Sequence, residues 1–171
     1  LYTISLATID QLVQMDALIH RCTADLLARG LYQWDEQYPS AQSCAYWVDK
    51  GELYVLCEEG QVRGLMALSE QDSDDWWPGV RWHRQSGRYL TVHSLAIDPP
   101  YQRRGYGRAL LVFWEEMAHA GGYHGVRLDV FSENEGALRF YEQHGYEHMG
   151  EFICNSKPEG HQLYYCYEKV W

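Results

Sequence analysis

The 171-residue sequence predicts a mixed α/β fold, with a central sheet of about seven strands and about four helices. Three observations predict it. β-rich apolar runs alternate with stretches of helical spacing. Two pairs of such runs meet at short glycine-containing turns, the signature of antiparallel hairpins. One strand, helix, strand succession, from Tyr89 to Phe131, requires a right-handed parallel crossover.

The elements follow in order. "LYTISLA" reads as a strand, and Thr8 with Gln11 has the spacing of a capping box for a helix that turns Ile9, Leu12, Ile19, Cys22 and Leu26 inward. "LYQWDEQYPS" has neither period and is an irregular loop carrying exposed aromatics and carboxylates; "AQSCAYWVDK" is a short helix closed by Gly51. "ELYVLCEE" and "QVRGLMALS" form a hairpin around Gly60. "QDSDDWWPGVRWHRQSG" is a loop or a protruding hairpin. "RYLTVHSLAID" is the next strand, ended by Pro99 and Pro100, which cannot donate to a sheet ladder.

From Gly107 to Ala120, Leu110, Phe113, Trp114, Met117 and Ala118 recur at helical spacing until Gly121 and Gly122 stop the helix. "GVRLDVF" is a buried strand. Ser132 with Glu135 forms a second capping box, opening a helix that runs to His144 before Gly145. "YEHMGEFI" and "HQLYYCYEKV", joined through "NSKPEG", close the chain as an antiparallel pair.

Composition narrows the function. The length favours a single domain spanning 1–171. No apolar run approaches the roughly 20 residues of a membrane span, and no basic region followed by an apolar stretch opens the chain, so the sequence reads as soluble and cytoplasmic with no membrane partner. Five scattered cysteines without a C-x-x-C pair argue against a disulfide framework and a structural zinc, and the eight histidines fall in no ligand motif, so no metal is expected. With 24 acidic residues against 14 lysines and arginines, nucleic acid is a poor partner. A cationic substrate suits the balance, as does simple solubility.

Against this acidic background stands "HSLAIDPPYQRRGYGRALL", residues 93–111. Gln102-x-x-Gly105-x-Gly107 opens a helix, where unpaired backbone N–H groups favour an anion, and the glycines allow close backbone approach. Arg103, Arg104 and Arg108 add charge at the same place, so a phosphate-bearing cofactor fits. Taken alone, the turn is equally consistent with chance glycines and a solvated basic face. The spacing matches neither G-x-G-x-x-G nor G-x-x-x-x-G-K-[ST].

"LAIDPPYQRRGYGRALL" together with "NEGALRFYEQHGY" resembles the GNAT superfamily of N-acetyltransferases, specifically over about residues 91–150. The resemblance implies the GNAT fold and acetyl-CoA as co-substrate, with the pyrophosphate held at Gln102, Arg103, Arg104, Gly105, Tyr106, Gly107 and Arg108. Arg103 stands where many members have glycine. It also implies that the backbone of Leu95, Ala96 and Ile97 pairs with the pantetheine arm and polarises the thioester, that Asn134 bonds that arm, and that Tyr141 protonates the departing thiolate. The residues Asn134, Leu138 and Tyr141 independently share one helix face.

The attacking amine must be neutral, so a base is needed. His93, on the fourth strand, and the loop acids Asp35 and Glu36 are candidates, and a water chain is an alternative. "LYQWDEQYP" is similar to a stretch in a bacterial subgroup of the superfamily, which implies Gln33, Trp34, Asp35 and Tyr38 near the acceptor. Trp76, Trp77, Trp82 and His83 either close the acceptor site's other side or form a satellite hydrophobic cluster. The expected reaction is acetyl transfer to a primary amine of a small molecule, with partial closure by the loop Gln71 to Arg88 as the reason for preferring a small acceptor. Alternatives are acetylation of a protein or peptide, at an N-terminus or a lysine, and a non-catalytic CoA-binding sensor. The oligomeric state is open, a homodimer being one arrangement.

Overall fold

The computed structural model describes residues 1–70 and 76–171. Seven strands form one mixed sheet in the order β1-β2-β3-β4-β5-β7-β6. Along the chain come β1 (Tyr2–Leu6), α1 (Leu12–Ala28), α2 (Ala41–Lys50), β2 (Leu53–Glu58), β3 (Gln61–Ser69), β4 (Tyr89–Ile97), α3 (Tyr106–Ala120), β5 (Gly125–Phe131), α4 (Glu135–Gln143), β6 (Glu147–Ile153) and β7 (Leu163–Val170). This is the succession that the periodicities predict. Among the described residues, no helix is long and apolar enough to cross a membrane. The chain groups into two compact units, residues 1–68 with 93–114 and residues 69–92 with 115–171.

In the first unit, β2 pairs antiparallel with both β1 and β3. The turn between β2 and β3 places Glu59 and Gly60 at φ of 52° and 74°, which explains the glycine there. α1 begins later than its capping box predicts. Gln11 Oε1 accepts from the Thr8 N–H at 2.9 Å, yet Ile9–Gln11 form a separate 3-10 turn. Ile9 therefore lies off the α1 face and is exposed, contrary to the inward position expected of it, while Met15, Leu18, Ile19, Cys22 and Leu26 are buried. α2 is capped at Ser40, whose Oγ accepts from Ser43 N at 3.3 Å, and ends at Gly51 with a φ of 67°. The core joins α1, Cys44 and Trp47 of α2, and Leu53, Val55 and Leu65 of the strands.

Two contacts fix the end of β4 in this unit. The buried Asp98 carboxylate receives both arms of Arg21, Nε at 2.8 Å and Nη2 at 3.0 Å, tying the strand end to α1. Gly64 lies where a Cβ would sit 2.8 Å from Ile97 Cδ1 and 3.2 Å from the Ala96 carbonyl, so its lack of a side chain permits the close approach of β3 and β4.

In the second unit, β4 runs parallel to β5 from Tyr89 opposite Gly125 to Thr91 opposite Arg127. β7 lies antiparallel between β5 and β6, opposing Arg127 with Glu168, Asp129 with Cys166 and Phe131 with Tyr164. Strand alternation puts these six residues on one sheet face. The described part of the 71–88 connection packs there. Trp77, Val80, Trp82 and Cys166 form a buried cluster with Met149 and Phe152, which is the satellite-cluster alternative, whereas Trp76 is exposed. Residues 76–88 contain no strand, so a protruding hairpin is excluded for that part, and 71–75 lie outside the described residues.

That cluster covers an ion pair. Arg127 and Glu168, each almost wholly buried, meet at 2.9 Å, with the guanidinium 3.4 Å from the Tyr89 ring centroid and 4.2 Å from that of Trp82. Arg127 Nη2 also donates to the Arg84 carbonyl, and the His83 N–H donates to Glu168 Oε1. A buried charge pair is tolerated only when its remaining donors and acceptors are met, and the 76–88 segment supplies those partners. Gly150 on β6 makes room for the segment, since a Cβ there would lie 3.2 Å from Val80 Cγ1.

α4 departs from its expected start. Asn134 is its N-cap, accepting from Ala137 N through Oδ1 at 3.1 Å, and the helix ends at Gln143. Ser132 is not the cap because its N–H still bonds the Leu163 carbonyl.

Candidate active site

The anion cradle is a feature of the first unit. Pro99–Tyr101 form a 3-10 turn after β4, and the chain passes Arg103 at a φ of 62° and Gly105 at 85° before α3 begins at Tyr106. These positive φ values turn the first N–H groups of α3 outward from the loop, and a helix start has no carbonyl one turn earlier to satisfy them. A Cβ at Gly105 would meet nothing within 4 Å, so the space before the helix is open. Arg103, Arg104, Gly105 and Arg108 are all exposed around it. Tyr101 holds two cations, Arg63 at 4.0 Å and Arg104 at 4.7 Å from its ring centroid, which fixes the Arg104 guanidinium near the turn.

Other predicted cradle residues use their side chains internally. Gln102 Nε2 donates to the Ile97 carbonyl at 3.1 Å, fastening the turn to the end of β4. The Tyr106 side chain is buried, donates its hydroxyl to Glu58 and meets the Tyr2 ring edge-on, so its backbone N–H is what it offers a ligand. Among Leu95, Ala96 and Ile97, the Ile97 carbonyl already accepts from Gln102 and from the Cys22 thiol at 3.3 Å.

His93 is half-buried on β4, and burial lowers its pKa to about 4. Its imidazole is therefore neutral across physiological pH and a weak base. The acceptor-loop residues fare unevenly. Trp34 is a core residue, 9% exposed, packed with the α1 and α2 side chains, which corrects its expected exposed position: an aromatic in an aperiodic loop carries no signal of its direction. Asp35 Oδ1 accepts from Gln37 N at 2.7 Å and Tyr38 N at 3.0 Å, so this carboxylate shapes the loop. Tyr38 is exposed and meets Trp47 edge-on, and Gln33 is half-buried. Glu36 and Gln37 line an open cleft with Asp16, His20, Ser40, Ala41 and Gln42.

The second unit holds a different chemistry. Tyr141 on α4 is 7% exposed, beside Phe140 and Tyr146. Burial and, after it, the negative charge of Asp129 raise the phenol's pKa, so it stays protonated. Asp129, the fifth residue of β5, is a candidate that sequence reasoning missed. Burial raises its pKa to about 6, against the opposing pull of the Trp77 indole, whose Nε1–H donates to Oδ2 at 2.8 Å, and of Lys157. A carboxyl of this kind accepts a proton near neutrality, which is what a general base requires. The one available signal was an acid at the fifth position of the otherwise buried "GVRLDVF".

With the geometry in place, the comparisons identify the lineage. The family model described as Acetyltransferase (GNAT) family matches residues 17–146. The chain belongs to the GNAT acetyltransferase family. It is 39% identical over 144 residues, 84% of this chain and 80% of the relative, to the N-alpha-acetyltransferase RimI of Mycobacterium tuberculosis. It is 26% identical over 74% of its length to a mycothiol acetyltransferase of Gordonia bronchialis, of which it spans 38%. It spans 16% of an uncharacterized Mycobacterium leprae protein that it also matches. A GNAT family acetyltransferase structure from Streptococcus agalactiae superposes with a TM-score of 0.81 at 22% identity, covering 99% of this chain and 95% of that one. The mixed seven-stranded sheet is thus the GNAT fold.

Proposed function

We propose that this chain, as a single GNAT domain over 1–171, moves the acetyl group of acetyl-CoA to a primary amine by direct attack in a ternary complex. The observation that carries the reading is the pair in the second unit: a carboxyl titrating near 6 at Asp129, electrostatically coupled to a protonated phenol at Tyr141. The acceptor's ammonium form gives its first proton to water, and Asp129 takes the second as the neutral amine attacks. The amine nitrogen bonds the thioester carbon, the carbon–sulfur bond breaks, and Tyr141 gives its proton to the departing thiolate. The proton gained by Asp129 restores Tyr141 through water, so the enzyme ends unchanged.

Acetyl-CoA enters as substrate. The backbone N–H groups of residues 105–108 and the charges of Arg103, Arg104 and Arg108 would hold its pyrophosphate, and the open space before Gly105 fits that use. Within this reading the backbone of Leu95 and Ala96 meets the pantetheine arm, as in the family. Asn134, whose Oδ1 is given to the helix cap, bonds the same arm in this reading. His93, with its lowered pKa, is displaced by Asp129 as the preferred base.

For the acceptor, the α-amine of a peptide or protein is the better-supported class. The small-molecule preference rested on closure by the 71–88 loop, and Trp77 and Trp82 instead pack on their own sheet. The 39% identity to a protein N-alpha-acetyltransferase over most of the chain supports the peptide reading, while the 26% identity to a mycothiol acetyltransferase keeps a small amine as the second. A thiol-release screen with acetyl-CoA against short peptides differing in their first residue, amino acids, polyamines and aminoglycosides separates them. Release with peptides alone is expected; release only with small amines reverses the assignment. Thermal stabilisation by acetyl-CoA with release for no amine would make the chain a sensor.

A further inference from the structure

The segment 76–88 is more than a cover for the sheet, because it sends one polar atom to the candidate base. Trp77 is 2% exposed, and its indole N–H reaches Asp129 Oδ2 at 2.8 Å. Of the other side chains in its cluster, Val80, Met149 and Phe152 are apolar and Cys166 is a weak donor. Trp82 in the same cluster has a buried Nε1 with no hydrogen-bond partner, so a buried indole alone does not explain the Trp77 bond; its direction is specific.

We propose that Trp77 is a positioning residue for the acetyl transfer, holding one Asp129 oxygen by a charge-assisted hydrogen bond so that the carboxylate keeps its ionised form and one fixed orientation beside Tyr141. This rests on Asp129 being the proton acceptor. The surroundings of Asp129 leave Trp77 a large share of the work. From β7 it faces the Cys166 thiol, whose pKa is itself raised by burial and by Asp129. On α4, the Tyr141 phenol is held protonated by burial and, after it, by the Asp129 charge. From the 154–162 connection, the charge of Lys157 also favours ionisation, by less than the Trp77 hydrogen bond does. Arg127, two residues earlier on the same face, is engaged by Glu168 and the Arg84 carbonyl. An N–H donated to a carboxylate stabilises the charged form, and its removal from a buried site makes ionisation harder.

The test uses the full chain with 13C-labelled aspartate and 15N-labelled tryptophan. In the unaltered protein, the Trp77 indole N–H resonance follows pH with the midpoint of the Asp129 carboxyl, and D129N abolishes that titration. W77F raises the Asp129 midpoint by about one pH unit, a roughly tenfold gain in proton affinity. The acid limb of the kcat/KM profile moves by the same amount, whereas W82F leaves the midpoint in place. An Asp129 midpoint unchanged in W77F overturns the proposal. A midpoint that moves while the acid limb stays still confirms the bond but removes Asp129 from the base role, a failure of the underlying mechanism that the two readouts distinguish. Should W77F not fold, the indole titration in the unaltered protein and D129N decides: an N–H resonance blind to the Asp129 midpoint overturns the proposal.

Discussion

In the proposed mechanism, the cradle before α3 and the Asp129–Tyr141 pair meet opposite electrostatic demands. The cradle is exposed and offers backbone N–H groups and guanidinium groups to a ligand. In the pair, Tyr141 is buried and Asp129 half-buried, and desolvation raises both proton affinities. Holding a diphosphate needs many weak donors in water, whereas moving a proton needs a few groups removed from water. Substitutions in the two regions therefore differ in which kinetic constant they touch.

The largest effect is expected at Tyr141. Y141F loses the proton donor while keeping the ring, so kcat falls by about 10²–10⁴-fold with the KM for acetyl-CoA nearly unchanged. Steady-state kinetics across pH measure this, and an unaltered kcat would remove Tyr141 from the mechanism. Next comes the ion pair under Trp82 and Tyr89. E168Q leaves the Arg127 guanidinium buried with a neutral partner, at a cost of about 3–5 kcal/mol in chemical denaturation. An R127M/E168L double variant recovers part of it; equal losses in the single and double variants would show that the charges themselves are not the issue.

The cradle should respond more gently and on the other constant. G105A meets open space, so only the positive φ penalises it, by about 1–2 kcal/mol. It is expected to appear as a higher KM for acetyl-CoA with kcat little changed, and a matching fall in kcat would erase the contrast between the regions. A further effect is on stability. The Asp129 carboxyl binds its proton more tightly when folded, at about 6 rather than at its ordinary 3.8. Its contribution to stability is thus fully present below the ordinary value and is lost as pH rises through about 6. D129N escapes that loss, so its melting temperature relative to the unaltered protein increases from pH 4 to pH 8. A constant difference would mean that Asp129 titrates normally.

The cradle was legible in the sequence because it is local: six consecutive positions, Gln102 to Gly107, fix the glycines, the turn and the helix start. The strands and helices were legible for the same reason, through their periods. Asp129 was not, since its proton affinity is set by partners such as Trp77, 52 positions away in the chain. Trp34 was misplaced because an irregular loop has no period to say which side chains turn inward. The start of α4 was misread at Ser132, whose N–H bonds the Leu163 carbonyl, whereas Asn134 caps the helix. Long-range partners, rather than composition, account for each miss.

Gly150 offers a way to trace the proton machinery through the lineage. Its missing side chain is the seat of Val80, and Val80 lies in the segment that carries Trp77 to Asp129. A bulky residue at that place in the sixth strand would displace Val80 and, with it, the indole donor. Glycine there and tryptophan three positions before the valine are therefore expected to be inherited together. A relative that has lost the one would have to find another donor for its buried acid, or run its chemistry at a higher pH.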